Sequence, residues 1–156
     1  MDILFLAITG IILSIFFSSS EIALISANKL QIDVWVKQKL RLSRIANLII
    51  DNKEFYLFCI LVGNNIANML TTSFLTIYIV NSNILPEESI FIIISILILL
   101  FAEIIPKSII RQFSNATLLI ISPILYTIGM ILAPVYKGAK FFININSDDS
   151  IFKSKD

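Results

Sequence analysis

Residues 55–80 and 113–136 contain no Asp, Glu, Lys or Arg. At ~1.5 Å of helix per residue, either stretch is long enough to cross a hydrocarbon core of ~30 Å. A third apolar stretch, residues 3–25, meets no charge until Glu21. Such runs do not suit a water-soluble globule, in which about a quarter of the residues are charged. Here 15% are charged and 57% are hydrophobic. The chain reads as an integral, multi-pass membrane protein.

Several function classes fall away at once. The chain has no histidine, so imidazole zinc sites, Ser-His-Asp triads and histidine proton relays are excluded. The single Cys59 cannot form an internal disulfide. A formal net charge of +1 gives no reason to expect nucleic acid as a partner. No paired-Asp or Ser/Lys arrangement lies at a common depth, so an intramembrane enzyme is a poor fit and the chain is read as a non-enzyme.

The first apolar stretch has no basic residue before it, unlike a cleavable signal peptide, and is read as a retained helix. A second span covers about 55–80, and a third runs from about Ser89 through Glu103 to Lys107. Between the first two lies a basic segment with Lys29, Lys37, Lys39, Arg41, Arg44 and Lys53; between the second and third lies a short loop, 81–89, charged only by Glu87 and Glu88. The positive-inside rule puts the basic segment in the cytoplasm and the N-terminus outside. Residues 113–136 allow two readings. A fourth span would strand Lys137, Lys140, Lys153 and Lys155 outside, whereas a juxtamembrane element broken by Pro123, Gly129 and Pro134 keeps them inside. The second is favoured, so the expected fold is all-α: three transmembrane helices, a juxtamembrane helical element and a cytoplasmic C-terminus. Residues 29–50 read as one partly amphipathic helix, with Leu30, Val34, Ile45, Leu48 and Ile49 facing the membrane and Trp35 as an interfacial anchor. Residues 1–143 form the membrane domain, and 144–156 a polar tail or linker.

Polar side chains inside hydrocarbon are costly and point to function. The first helix carries Ser18, Ser19, Ser20 and Glu21; the second carries Asn64, Asn65 and Asn68; the third carries Glu103. Counted from the outer end of each span, Ser18, Asn64 and Glu103 lie ~15, ~16 and ~14 residues deep, a common level ~21–24 Å from the outer face. Asn64 and Asn68 share one helical face, and Gly63 and Ala67 make a small-residue ridge beside them. Pro106 cannot donate to the Ala102 carbonyl, which is expected to stay free beside Glu103. These are hard oxygen donors, suited to Mg²⁺, Ca²⁺, Mn²⁺ or Na⁺. Plainer roles compete: serines bonding their own helix, asparagines joining helices, Lys107 neutralising Glu103 one turn away, and Lys29 or Arg44 pairing with Glu21.

At these three places the sequence resembles a known family. FFSSSEIALISANK (16–29), LVGNNIAN (61–68) and FAEIIPKS (101–108) look like the signature segments of the transmembrane domain of the cyclin M (CNNM) and bacterial CorC magnesium transporters. The resemblance extends in order over about residues 3–136. It implies a homodimer in the cell (plasma or inner) membrane that exports Mg²⁺, driven by Na⁺, through an inward-open cavity. It also implies that Ser18, Asn64, Asn68 and Glu103 hold the dehydrated ion, that Ser20, Glu21 and Ala102 are accessory, and that Pro106 is the helix break. The family usually continues into cytoplasmic nucleotide-binding CBS modules; the sequence in hand stops at Asp156, so ATP-linked regulation is not assigned to these residues. The competing expectation is a non-transporting regulatory or scaffold protein whose buried polar groups only hold helices together.

Overall fold

A computed structural model describes residues 3–82 and 87–152, with side chains described over 3–81 and 92–140. Its elements are α1 (Ile3–Ser26), α2 (Lys29–Lys37), α3 (Ser43–Asp51), α4 (Lys53–Ser82), α5 (Glu87–Leu97), a π-helical segment (Ile98–Ile104), α6 (Ile105–Ile110), a single 3₁₀ turn (Arg111–Phe113) and α7 (Ser114–Phe152). No strand occurs among the described residues. Three helical runs are long and apolar enough to cross a membrane: Ile3–Ser26, Lys53–Asn81 and the unbroken run Ile92–Lys140. Isoleucine-rich segments such as α1 are poor helix formers in water, but in lipid a helix satisfies every backbone polar group within the segment. The three expected spans fall within α1, α4 and α5–α6. Of the loop expected at 81–89, residues 83–86 lie outside the described residues, as do the side chains of Glu87 and Glu88.

The α1–α4 seam is the most extensive interface. A Cβ added to Gly10 would come within 2.6 Å of Thr71 Oγ1 and 3.0 Å of its backbone nitrogen, and one on Gly63 would strike the Phe17 ring. Between these contacts the Ser14 hydroxyl meets Asn68. Gly10 thus faces Thr71, Ser14 faces Asn68 and Phe17 faces Gly63, an antiparallel register that puts Ser26 level with Phe55. The ridge of Gly63 and Ala67 is where the helices approach, as small residues permit.

That register decides the course of α7. Ser114 Oγ donates to the Ser26 carbonyl at 3.2 Å, and the Asn28 amide N–H donates to Asn115 Oδ1 at 2.7 Å. Farther along, Gly129 lies against Tyr56 and Phe55, and the Tyr136 ring sits 5.0 Å from Phe55 and 5.3 Å from Phe58. Over ~33 Å of helix, α7 therefore stays at the level where α1 ends and α4 begins. It lies across the bundle rather than climbing through it. Leu118, Ser122, Leu125 and Gly129 face inward, while Ile120, Ile124, Ile131 and Val135 are more than half exposed on the opposite side. This is the juxtamembrane element. Its helix continues to Phe152, through the segment read as a polar tail, where no Gly or Pro follows Gly138 to stop it.

Residues 29–50 form two helices rather than the single one expected. Lys39 (φ 56°) and Leu42 (φ 68°) adopt left-handed backbone conformations and reverse the chain. The Asn28 side chain caps α2 through the Leu30 and Gln31 amides. Ile32, Ala46 and Ile49 are fully buried, and Trp35, half-buried, packs against the core. Ile49 is thus a core residue, while Leu30, Val34 and Leu48 remain exposed. The main core joins the second half of α1, both short helices, the first half of α4 and α7.

Candidate functional site

Midway along α1 and α4, where lipid would otherwise require apolar contact, the seam is polar. Ser14 Oγ donates to Asn68 Oδ1 at 2.5 Å, and Asn68 Nδ2 donates to Glu103 Oε1 at 3.0 Å. Ser18 Oγ reaches the backbone carbonyl of Glu103 at 3.5 Å, a long contact. Three separate helical segments therefore meet through α1 hydroxyls, an α4 amide and the carboxylate of the third. Ser14 and Ser18 are fully buried, and Asn64 nearly so at 8% exposure. Glu103 is half-buried.

Glu103 owes its position to irregular backbone. Pro106 has no N–H, so a regular helix would lack one bond here. The chain responds upstream with the π-helical segment Ile98–Ile104, closing with the Ile105 amide bonded to the Leu100 carbonyl five residues back. Pro106 then falls in the first turn of α6, where no amide proton is needed. Such π segments recur at functional sites. Ala102 is buried beside α1, but the carbonyl that the Ser18 hydroxyl meets is that of Glu103.

The polar layer is not fully satisfied. Asn64 Oδ1 is buried with no hydrogen-bond partner. A buried acceptor left unpaired costs about 1–3 kcal/mol, and a native one calls for an explanation. An amide oxygen has no proton to give; it can only accept one or coordinate a cation. Asn68, by contrast, uses its oxygen on Ser14 and its NH₂ on Glu103. Of the four expected ligands, Ser18, Asn68 and Glu103 are thus brought together by direct contacts, and Asn64, one turn before Asn68, carries the unpaired acceptor.

Other residues take different roles. Ser20 Oγ bonds the Phe16 carbonyl of its own helix at 2.7 Å, which is the plainer reading of that serine. Glu21 pairs with Lys107 at 3.0 Å, rather than with Lys29 or Arg44. Lys107 is thereby drawn away from Glu103. Asn65 is exposed. Ser14 was not singled out in the sequence, although it lies four residues before Ser18 and hence on the same helical face. Among the described residues no group of three or more Asp, Glu, Cys or His side chains could hold a metal, so any ion here would rest on one carboxylate and neutral oxygens.

Comparison with known families matches residues 5–147 to one described as the cyclin M transmembrane N-terminal domain. No curated protein matches the chain.

Proposed function

Since the chain belongs to the cyclin M family of transmembrane domains, we propose that it is the membrane domain of a divalent-cation transporter that moves Mg²⁺ out of the cell. The observation that carries this reading is the buried, unpartnered Asn64 Oδ1 in the layer that also holds Glu103. One carboxylate with neutral oxygens suits a hard cation better than a soft one. Mg²⁺ holds its water tightly, so a site that strips it must offer an anionic oxygen at fixed distance. Glu103 supplies the charge, and Ser18, Asn64 and Asn68 replace water. For Asn68 to contribute its oxygen, the bond from Ser14 has to be shared or released. Coupling to Na⁺, a homodimer and residence in the plasma or inner membrane belong to the same proposal. The distribution of lysine and arginine supports a cytoplasmic location for the α2–α3 end.

A second reading has one observation in its favour. The Ser14–Asn68–Glu103 chain bridges all three membrane helices, as interhelical polar contacts do in proteins that transport nothing. Flux separates the two. The purified protein in liposomes, with Mg²⁺, Mn²⁺, Ca²⁺ and a Na⁺ gradient varied separately, is expected to move Mg²⁺ well above empty vesicles and to respond to Na⁺. Flux equal to that of empty vesicles for every cation would leave only the scaffold reading.

A further inference from the structure

Between the polar layer and the α2–α3 end lies a second charged pair, Glu21 on α1 and Lys107 on α6, with Lys107 Nζ 3.0 Å from Glu21 Oε2. Glu21 is three residues beyond Ser18, and Lys107 four beyond Glu103. At ~1.5 Å per residue they stand ~4.5 and ~6 Å nearer that end than the proposed ligands. Each side chain keeps about a third of its surface exposed (30% and 33%). A cleft of about 340 Å³ between α1 and α4 is lined by Glu21, Ile25, Leu57, Phe58 and Leu61. Glu21 is the ionisable residue in that lining. Ile25 and Leu57 belong to the level of Ser26 and Phe55, so the cleft leads from the end of the bundle to the carboxylate.

A cation entering from that end meets Glu21 first, because Glu103 lies deeper by helical rise. It finds there an ammonium group already seated. We propose that Lys107 is a tethered counter-ion that occupies Glu21 while the path is empty, and that the incoming divalent cation displaces it, making Glu21 an entry station ahead of the Glu103 site. This rests on the transport reading above. Like charges about one helical turn apart along the bundle repel appreciably where water is scarce. The ammonium therefore opposes a cation on Glu103 as long as it stays in place, and Glu21 offsets that opposition by holding it to one side. A pair that merely clasps α1 to α6 would carry no such coupling.

The test measures the half-saturating Mg²⁺ concentration for thermal stabilisation of the full chain in nanodiscs. Lys107→Gln is expected to lower that concentration about tenfold. Glu21→Gln, which removes the station and leaves the ammonium unopposed, is expected to raise it about tenfold. Lys107→Arg keeps the charge and should stay near wild type. If Lys107→Gln does not fold, Lys107→Met, which preserves the packing of the aliphatic stem, carries the same expectation. Half-saturation within about twofold of wild type in both neutral variants, with lower melting in Mg²⁺-free buffer, overturns the proposal and leaves a structural clasp. A wild-type protein that Mg²⁺ does not stabilise at all defeats the transport reading first, and is told apart by that control.

Discussion

Two clusters of oxygen atoms in this molecule differ in where their positive charge comes from. On the short helices, Lys29 Nζ is held by Asp51, by Asn47 Oδ1 at 2.7 Å and by Asp33 Oδ1 at 3.4 Å, while Asn47 Nδ2 donates to Asp51 Oδ2 at 3.2 Å. There the chain supplies its own cation, and the donors and acceptors around it are matched. In the membrane layer, Ser14, Ser18, Asn64, Asn68 and Glu103 gather a comparable set of oxygens around no ammonium, because the nearest lysine, Lys107, is engaged with Glu21. The acceptor without a partner is there. The first cluster is complete as a fastening; the second carries a buried acceptor that no protein donor satisfies.

The largest effect is expected from neutralising the carboxylate. Glu103→Gln keeps the shape and the ability to bond Asn68 but removes the charge a cation needs. Wild-type protein should gain ~2.7 kcal/mol of stability at a Mg²⁺ concentration one hundred times its dissociation constant, and the variant should gain none. Thermal unfolding with and without Mg²⁺ reads this directly. Stabilisation retained in the variant would remove Glu103 from the site. Next in size is Gly10→Ala, which tests whether the layer depends on the close seam. Its Cβ would press on the backbone of Thr71, which cannot swing aside as a side-chain tip could. We expect a loss of about 1–3 kcal/mol and a weaker Mg²⁺ response, since Ser14 and Ser18 ride on the same helix. A variant as stable as wild type would show the seam to be looser than its geometry.

The three spans were legible because long uncharged runs admit little else; α1 starts where expected, and the other expected boundaries are extended by a residue or a few. The common depth of Ser18, Asn64 and Glu103 was also legible, since helix rise is fixed and counting from span ends suffices. Less could be read where backbone departs from regularity. Lys39 and Leu42 take positive φ without a glycine to announce it, so the reversal between α2 and α3 was read as continuous helix. Pro106 signalled a break but not its form: the π segment lies before it, and the carbonyl that Ser18 meets is that of Glu103. Partners across helices were the least visible. Glu21 had basic candidates near it in sequence, yet its partner is Lys107, 86 positions away. Ser14 is one serine in an apolar run, and only its spacing from Ser18 hinted at a role.

Asn64→Leu probes the same layer from the opposite side. Leucine has a similar volume and leaves no acceptor unpaired, so in Mg²⁺-free buffer the variant should be more stable than wild type, by about 1 kcal/mol. Its Mg²⁺-dependent stabilisation should fall at the same time. That exchange of affinity for stability is what an oxygen held ready for an ion predicts. A loss of stability in Mg²⁺-free buffer would mean that Asn64 Oδ1 is satisfied without one.

The smallest effect is expected at the cluster that carries its own charge. The hydrogen bond to Asp51 above all raises the Lys29 ammonium above its ordinary 10.5; burial opposes it, and the charges of Asp51 and Asp33 add to the rise. A group whose folded value is raised contributes its stability in full below the unfolded value, and that contribution is lost as pH climbs through the folded one. Lys29→Met should therefore cost a nearly constant amount from neutral pH to about pH 10, and the gap to wild type should close above that. With the side chain 40% exposed, the cost is expected to be under ~1 kcal/mol and to shrink further in high salt. Melting temperatures of both proteins across that range, in Mg²⁺-free buffer, give the difference. Mg²⁺ should stabilise Lys29→Met as much as wild type, because this cluster has no place left for an added cation. A Mg²⁺ response that changed with Lys29 would mean the two clusters are not independent, and that the ion sensed in the membrane layer is also sensed at its edge.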